Sequence, residues 1–238
     1  MAVPEIDLSS NDAHVLSALF DPEASSSSSI AKIDPSLPPL PHMSHGELAS
    51  LQTAERAAIL PIAIPSPSKP ETERTIAALS QLIKAHPQYA SAYTNRAQAM
   101  RLAVGDIVFT ASDDGMVDII FADLGTAIDL ATPKSPKAAV SPQQAKVLAT
   151  AHSHRAYLYL KAAKMASDSP SMQLSGPQRI KGMSHERLEE MASRDFETAG
   201  RYGDRVAKDM AVRTNPYAKM CGAIVRNALK EEVAEGRR

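Results

Sequence analysis

The sequence predicts an all-α protein, an array of about three helix pairs, from three observations. The stretch 90–102 reads Ala-Ser-Ala-Tyr-Thr-Asn-Arg-Ala-Gln-Ala-Met-Arg-Leu, bounded by Pro87 and Gly105; Ala, Gln, Met, Arg and Leu lose least on entering a helix. There is no Trp and only 4 Phe, against an Ala-rich apolar fraction, a composition that suits close-packed helices better than stacked sheets. One pattern also returns: Tyr93, Arg96 and Ala97 are echoed by His152, Arg155 and Ala156.

The element at 90–102 has a large residue at its fourth position, Tyr93, and a small one at its eighth, Ala97. That is the first-helix pattern of a tetratricopeptide repeat, in which the small residue lets a second helix approach. The preceding Thr75-x3-Leu79-x2-Leu82-x4-Pro87 fits the repeat's second helix. Thr75 precedes Tyr93 by 18 positions, as a repeat of about 34 residues requires. Further second-helix copies lie at Ile120, Leu124 and Ala127, and at Ala192, Phe196 and Ala199. The separations exceed the ideal, and the excess falls at 104–117, 132–144 and 165–185, where Gly, Pro, Ser and Asp cluster. These read as loop insertions, which repeats tolerate.

In chain order, residues 1–42 read as an N-terminal extension. A short helix within 11–20 has Val15, Leu16, Leu19 and Phe20 on one face, N-cap residues before it and Asp21-Pro22 to stop it. Eight or so residues do not stand alone in water, so this helix docks either outside the repeats or in their groove. The Ser-rich run 25–29 and the Pro-rich run 35–41 read as linker that does not pack.

Residues 43–214 read as the repeat domain. A helix over 46–60 carries Leu48, Leu51, Ala54 or Glu55, Ala58 and Ile59 at helical spacing. Pro61, Pro65, Pro67 and Pro70 make the loop after it, and a helix over 71–86 begins with acidic residues, as the helix dipole prefers. A further helix over 204–213 packs on the last repeat. Residues 215–238 read as a capping helix begun by Asn215-Pro216, with Tyr217, Met220, Cys221, Ile224 and Ala228 on one face, then a charged tail. The fold class expected is a tetratricopeptide-repeat array, a right-handed α-solenoid, with this C-terminal cap.

Composition narrows function. With 26 basic and 27 acidic residues, the chain does not look like a general nucleic-acid or membrane-surface binder. A single Cys forms no internal disulfide and suits a reducing compartment. Met-Ala-Val-Pro-Glu is not the start of a signal peptide, and no apolar run reaches the length of a membrane span. A cytoplasmic, monomeric protein is expected.

Four pieces together resemble the family of tetratricopeptide repeat protein 36. They are Asn11-Asp12-x2-Val15-Leu16-x3-Phe20-x-Pro22, Ala90-Ser91-Ala92-Tyr93-x-Asn95-Arg96-Ala97-Gln98-Ala99, Arg194-Asp195-Phe196-Glu197 and Asn215-Pro216-Tyr217-Ala218, in that order. The resemblance implies a three-repeat, non-catalytic binding protein linked to the Hsp70 chaperone, or else a stabilising partner of a metabolic enzyme such as one of aromatic amino-acid catabolism.

Repeat grooves that bind chaperone tails hold the carboxylates with Lys and Asn from the first repeat, Asn from the second, and Lys and Arg from the third, because charge-assisted donors must meet those charges. Here Asn95 fills the second-repeat position, Thr150 and His154 stand at the third, and no Lys occurs between Gly46 and Leu60. A working clamp is therefore not expected. The predicted concave face carries Thr94, Asn95, Gln98, Ser153, His154, Tyr157 and Lys161, a mild polar lining that fits a peptide groove or a plain solvated face. Arg96 and Arg155 share one repeat position and are expected to pack between helices.

No catalytic, metal or cofactor site is expected. His152 and His154 are two apart on a helix and point to different faces. His42 and His45 sit in a linker, and Cys221 falls on an apolar face, where thiols are inert. Asp113-Asp114-Gly115 lacks the remaining spacing of a calcium loop, and no nucleotide-binding or nucleophile-elbow motif occurs. Lys230-Glu231-Glu232-Val233 resembles a chaperone tail but is internal, and reads as a solvated helix end.

Overall fold

Helix starts in this chain are set by short polar side chains. The computed structural model describes residues 30–41, 43–105, 109, 115–135, 137–168, 176–178 and 180–215. Ser44 accepts a hydrogen bond from the Glu47 amide and opens α1, His45–Ile59. After a 3-10 turn at Leu60–Ile62, Ser68 and Glu71 form a reciprocal capping box at the head of α2, Lys69–Ala85. Helix α2 starts before Glu71 because Pro70 lies in the first turn, where a missing N–H costs nothing.

Helix α3, Ala90–Val104, ends at Gly105 with φ +62°, and α4, Met116–Ala131, begins at Gly115 with φ +88°. Both glycines occupy the left-handed region that side-chain-bearing residues avoid. Ser141 and Gln144 hydrogen-bond each other's backbone amides at the start of α5, Pro142–Asp168. Ser184 caps α6, His185–Arg201, and Asp204 caps α7, Arg205–Thr214, by accepting from the Ala207 amide.

Each helix packs on the next in sequence, and α3 also touches α5. This is the all-α tetratricopeptide-type array: α1 with α2, α3 with α4, α5 with α6, and α7 on the end. Among the described residues there is no strand, only isolated bridges. The expected helix within 11–20, the capping helix of 215–238, Cys221, His42 and Asp113-Asp114 lie outside the described residues, apart from Asn215 itself.

The core is made largely of alanines that let backbones approach: Ala92, Ala97, Ala127, Ala151, Ala156, Ala192 and Ala199 are all fully buried. Gly200 goes further. A Cβ there would lie 3.1 Å from the Lys208 Cα, so only glycine lets α7 lie this close to α6.

Buried ion pairs lock the helices of a pair together, as the recurring arginines predict. Arg96 of α3 donates to both carboxylate oxygens of Asp123 in α4, at 2.7 and 2.6 Å. Arg155 of α5 does the same to Asp195 in α6, at 2.7 and 2.8 Å, and His152 Nδ1 is 2.7 Å from the same carboxylate. Burial alone would raise the Asp195 pKa, but hydrogen bonds from Arg155 and His152 hold it below its ordinary value.

One expectation about loops needs correction. The Pro-rich run packs after all: Leu40 is buried, Asp34 N–H donates to the Val140 carbonyl, and Val140 N–H returns a bond to Lys32. Ala31 N–H reaches the Arg201 carbonyl, and the Ser141 hydroxyl donates to the Pro39 carbonyl. The segment is extended, and its free backbone groups find partners just before α5 and at the end of α6. The insertions also supply core. Phe109 and Ile180 are fully buried, and the Phe109 ring lies 6.3 Å from that of Phe121, which is 5.3 Å from Tyr159.

Candidate functional site

The first helices of the three pairs, α1, α3 and α5, place one row of side chains each along a common face. On α3 the row is Thr94, Gln98 and Arg101; on α5 it is Thr150, His154, Tyr157 and Lys161. Both follow the 3- and 4-residue steps that keep side chains on one helix face.

Three adjoining clefts run along this face. The first, about 280 Å³, lies among Glu55 and Arg56 of α1, Thr94 and Asn95 of α3, and Lys146 and Thr150 of α5. The second, about 460 Å³, shares Thr150 and adds Gln98, Arg101, Ser153, His154, Tyr157 and Asp204. The third, about 830 Å³, shares Tyr157 and continues past Lys161 and Lys164 to His185 and Glu189. The shared residues make the clefts neighbours along this groove face, the third opening between α5 and the start of α6.

All seven residues predicted for the concave face line this groove, but several are already engaged. The Thr94 hydroxyl is buried and turns back to the Ser91 carbonyl of its own helix. Asn95 Nδ2 donates to Glu55 Oε1 at 2.7 Å. Ser153 donates to Asp204, and Lys161 also has a partner. Gln98 and Tyr157 present exposed surface, with the Arg101 guanidinium 5.5 Å above the Tyr157 ring.

Glu55 is the hub of the first cleft. It is buried, and besides Asn95 it accepts from the Tyr89 phenol at 2.6 Å and the Ser91 hydroxyl at 3.1 Å. All three donors are neutral. Burial, then the bond and charge of Glu55, push the Tyr89 phenol far above its usual pKa. A carboxylate therefore sits beside the one residue matching a carboxylate-clamp position.

His154 is the other unusual group. Its Nε2 is buried without a hydrogen-bond partner among the described residues. Burial, reinforced by the Arg101 charge, lowers its pKa to about 4. His152, two residues away, faces Asp195 instead, as the helical spacing predicts.

Glu55, Arg101 and Asp204 are groove residues that the sequence reading missed. Arg101 was within reach, since Thr94, Gln98 and Arg101 follow one helical row. Among the described residues no cluster of His, Cys, Asp and Glu is placed to hold a metal ion, and no helix is long and apolar enough to cross a membrane.

No protein-family model matches the chain, and no solved structure matches it. Among curated proteins, the chain is 46% identical over 240 aligned residues to the L-tyrosine degradation gene cluster protein hmgX of Aspergillus fumigatus, covering 95% of this chain and 93% of that protein. It is 28% identical over 144 residues to the tetratricopeptide repeat protein 36 homolog of Drosophila melanogaster, covering 60% of this chain and 54% of that protein. The Drosophila pseudoobscura pseudoobscura homolog gives 27% over 151 residues, covering 63% of this chain and 58% of that protein. The resemblance to tetratricopeptide repeat protein 36 is thus distant and partial, while the fungal match spans nearly the whole of both chains. The chain belongs to the family of the L-tyrosine degradation gene cluster protein hmgX.

Proposed function

We propose that this protein is a non-catalytic, tetratricopeptide-type binding protein that holds and stabilises an enzyme of L-tyrosine degradation in the cytoplasm. The observation that carries this reading is the row of adjoining clefts along α1, α3 and α5, lined largely by polar side chains. A long groove lined by exposed amide, phenol and cationic groups suits an extended or helical segment of a partner. Kinship with a protein of an L-tyrosine degradation gene cluster supplies the metabolic setting.

The test is calorimetric titration of the purified chain with each enzyme of L-tyrosine degradation in turn. One enzyme should bind and gain thermal stability, and Gln98→Ala with Tyr157→Ala should weaken that binding at least tenfold. Absence of binding to every such enzyme would overturn the reading.

A second reading, an Hsp70-associated adaptor, is supported by the distant similarity to the Drosophila homologs. On this reading Hsp70 is not held by a carboxylate clamp, because Asn95 is tied to Glu55 and no Lys occurs between Gly46 and Leu60. Nucleotide-sensitive binding of full-length Hsp70, with none of its C-terminal peptide, would favour it.

A further inference from the structure

We propose that the middle cleft of the groove is a carboxylate-binding subsite, in which the Arg101 guanidinium, poised over Tyr157 beside His154, receives an acidic group of the partner polypeptide. The proposal deepens the partner-binding reading of the groove and rests on it.

Three observations converge on one spot. Arg101 projects from α3 into the cleft and makes a cation–π contact with Tyr157; among the described residues no carboxylate pairs with it. His154 lines the same cleft with its Nε2 buried and unpartnered, an arrangement that costs free energy until the nitrogen is satisfied. The cleft's own acid, Asp204, is turned to other work, since it accepts from Ser153 and caps α7 through the Ala207 amide.

The chemistry these groups favour is specific. A guanidinium offers paired parallel donors that match a carboxylate, and the Tyr157 face keeps the fork oriented while leaving its edge available. A carboxylate arriving there would offset the burial that chiefly disfavours protonation of His154, and would neutralise the Arg101 charge that adds to it. The imidazole could then take up a proton and donate from Nε2, which completes its hydrogen bonding. The charged and titratable groups around His154 are Arg101 from α3, Asp204 at the head of α7 and Tyr157 on its own helix. Among these, the cation opposes its protonation.

The test follows the His154 imidazole by NMR in the full chain, assigned by its loss in His154→Phe. The probes are Ac-Gly-Glu-Gly-Glu-Gly-NH2, its Gln counterpart, and the Gln peptide with a free C-terminal acid. A saturating acidic peptide should raise the His154 pKa from about 4 to about 5 or above, and the amidated Gln peptide should not move it. A response to the Glu peptide assigns the subsite to a side chain, and one to the free acid alone assigns it to a chain terminus. In Arg101→Gln the unliganded pKa should rise, because the repelling cation is gone, and the acidic peptides should no longer shift it. No shift with either acid, or an undiminished shift in Arg101→Gln, overturns the proposal. A degradation enzyme that binds wild type and Arg101→Gln equally removes the subsite and leaves the groove reading. A peptide effect without any enzyme binding does the reverse.

Discussion

Arg96 and Asp123 meet through two short hydrogen bonds between α3 and α4, and among the described residues no histidine shares that carboxylate as His152 shares Asp195. Both pairs are largely buried. Removing one partner of such a pair leaves a charge stranded, at a cost of about 3–5 kcal/mol. Arg96→Ala should therefore lower stability by about that much. Arg155→Ala should cost less, because His152 remains to meet Asp195. Urea unfolding of both variants measures the order, and the reverse order would refute the compensating role given to His152.

Folding should weaken below neutral pH through His154. Its folded pKa, about 4, lies below the ordinary 6.5, so the folded state binds fewer protons than the unfolded one. Its contribution is full above pH 6.5 and declines as pH falls towards 4, by about 3 kcal/mol in all. His154→Phe should flatten thermal stability across that window. Asp195 acts lower: its carboxyl is held below 3.8, so its contribution persists above that value and is lost as pH falls through the lowered one.

Glu55 and Tyr89 should behave as one unit. Glu55→Ala leaves the buried Tyr89 hydroxyl without its acceptor, a loss of about 1–3 kcal/mol. Tyr89→Phe in that background should recover part of it, since the buried phenol donor is then gone and only the part-buried Ser91 and Asn95 remain without Glu55. A double-mutant cycle by chemical unfolding gives the coupling, and strict additivity would contradict the hub.

Leu40 tests the packed extended segment. It is fully buried, and Leu40→Ala should destabilise by about 2–5 kcal/mol. A neutral result in thermal unfolding would return residues 35–41 to the status of linker.

Helix pairing was legible because its signals are local and periodic. Thr75-x3-Leu79-x2-Leu82-x4-Pro87 marks a second helix, Tyr93-x2-Arg96-Ala97 recurs at His152-x2-Arg155-Ala156, and Ala192-x3-Phe196-x2-Ala199 marks the last second helix. The groove rows were legible for the same reason. What could not be read was non-local. Phe109 is one aromatic in a Gly- and Asp-rich stretch, with no period to show that it meets Phe121. Ile33 pairs with Val140, and nothing in a proline-rich run points to a partner so distant in sequence. Nor does a row of polar side chains reveal which are engaged: Asn95 looks free until Glu55 is seen beside it.

The extended segment changes what kind of object this array is. In an open solenoid each repeat senses only its neighbours, so stability adds up unit by unit and ends can fray independently. Here residues 31–34, ahead of the first helix, are hydrogen-bonded to Val140 and to Arg201, where the chain enters and leaves the third pair. That long-range tie couples first repeat to last, so unfolding should be a single cooperative transition. It also raises contact order, and folding should be slower than for a helical array built from local contacts alone.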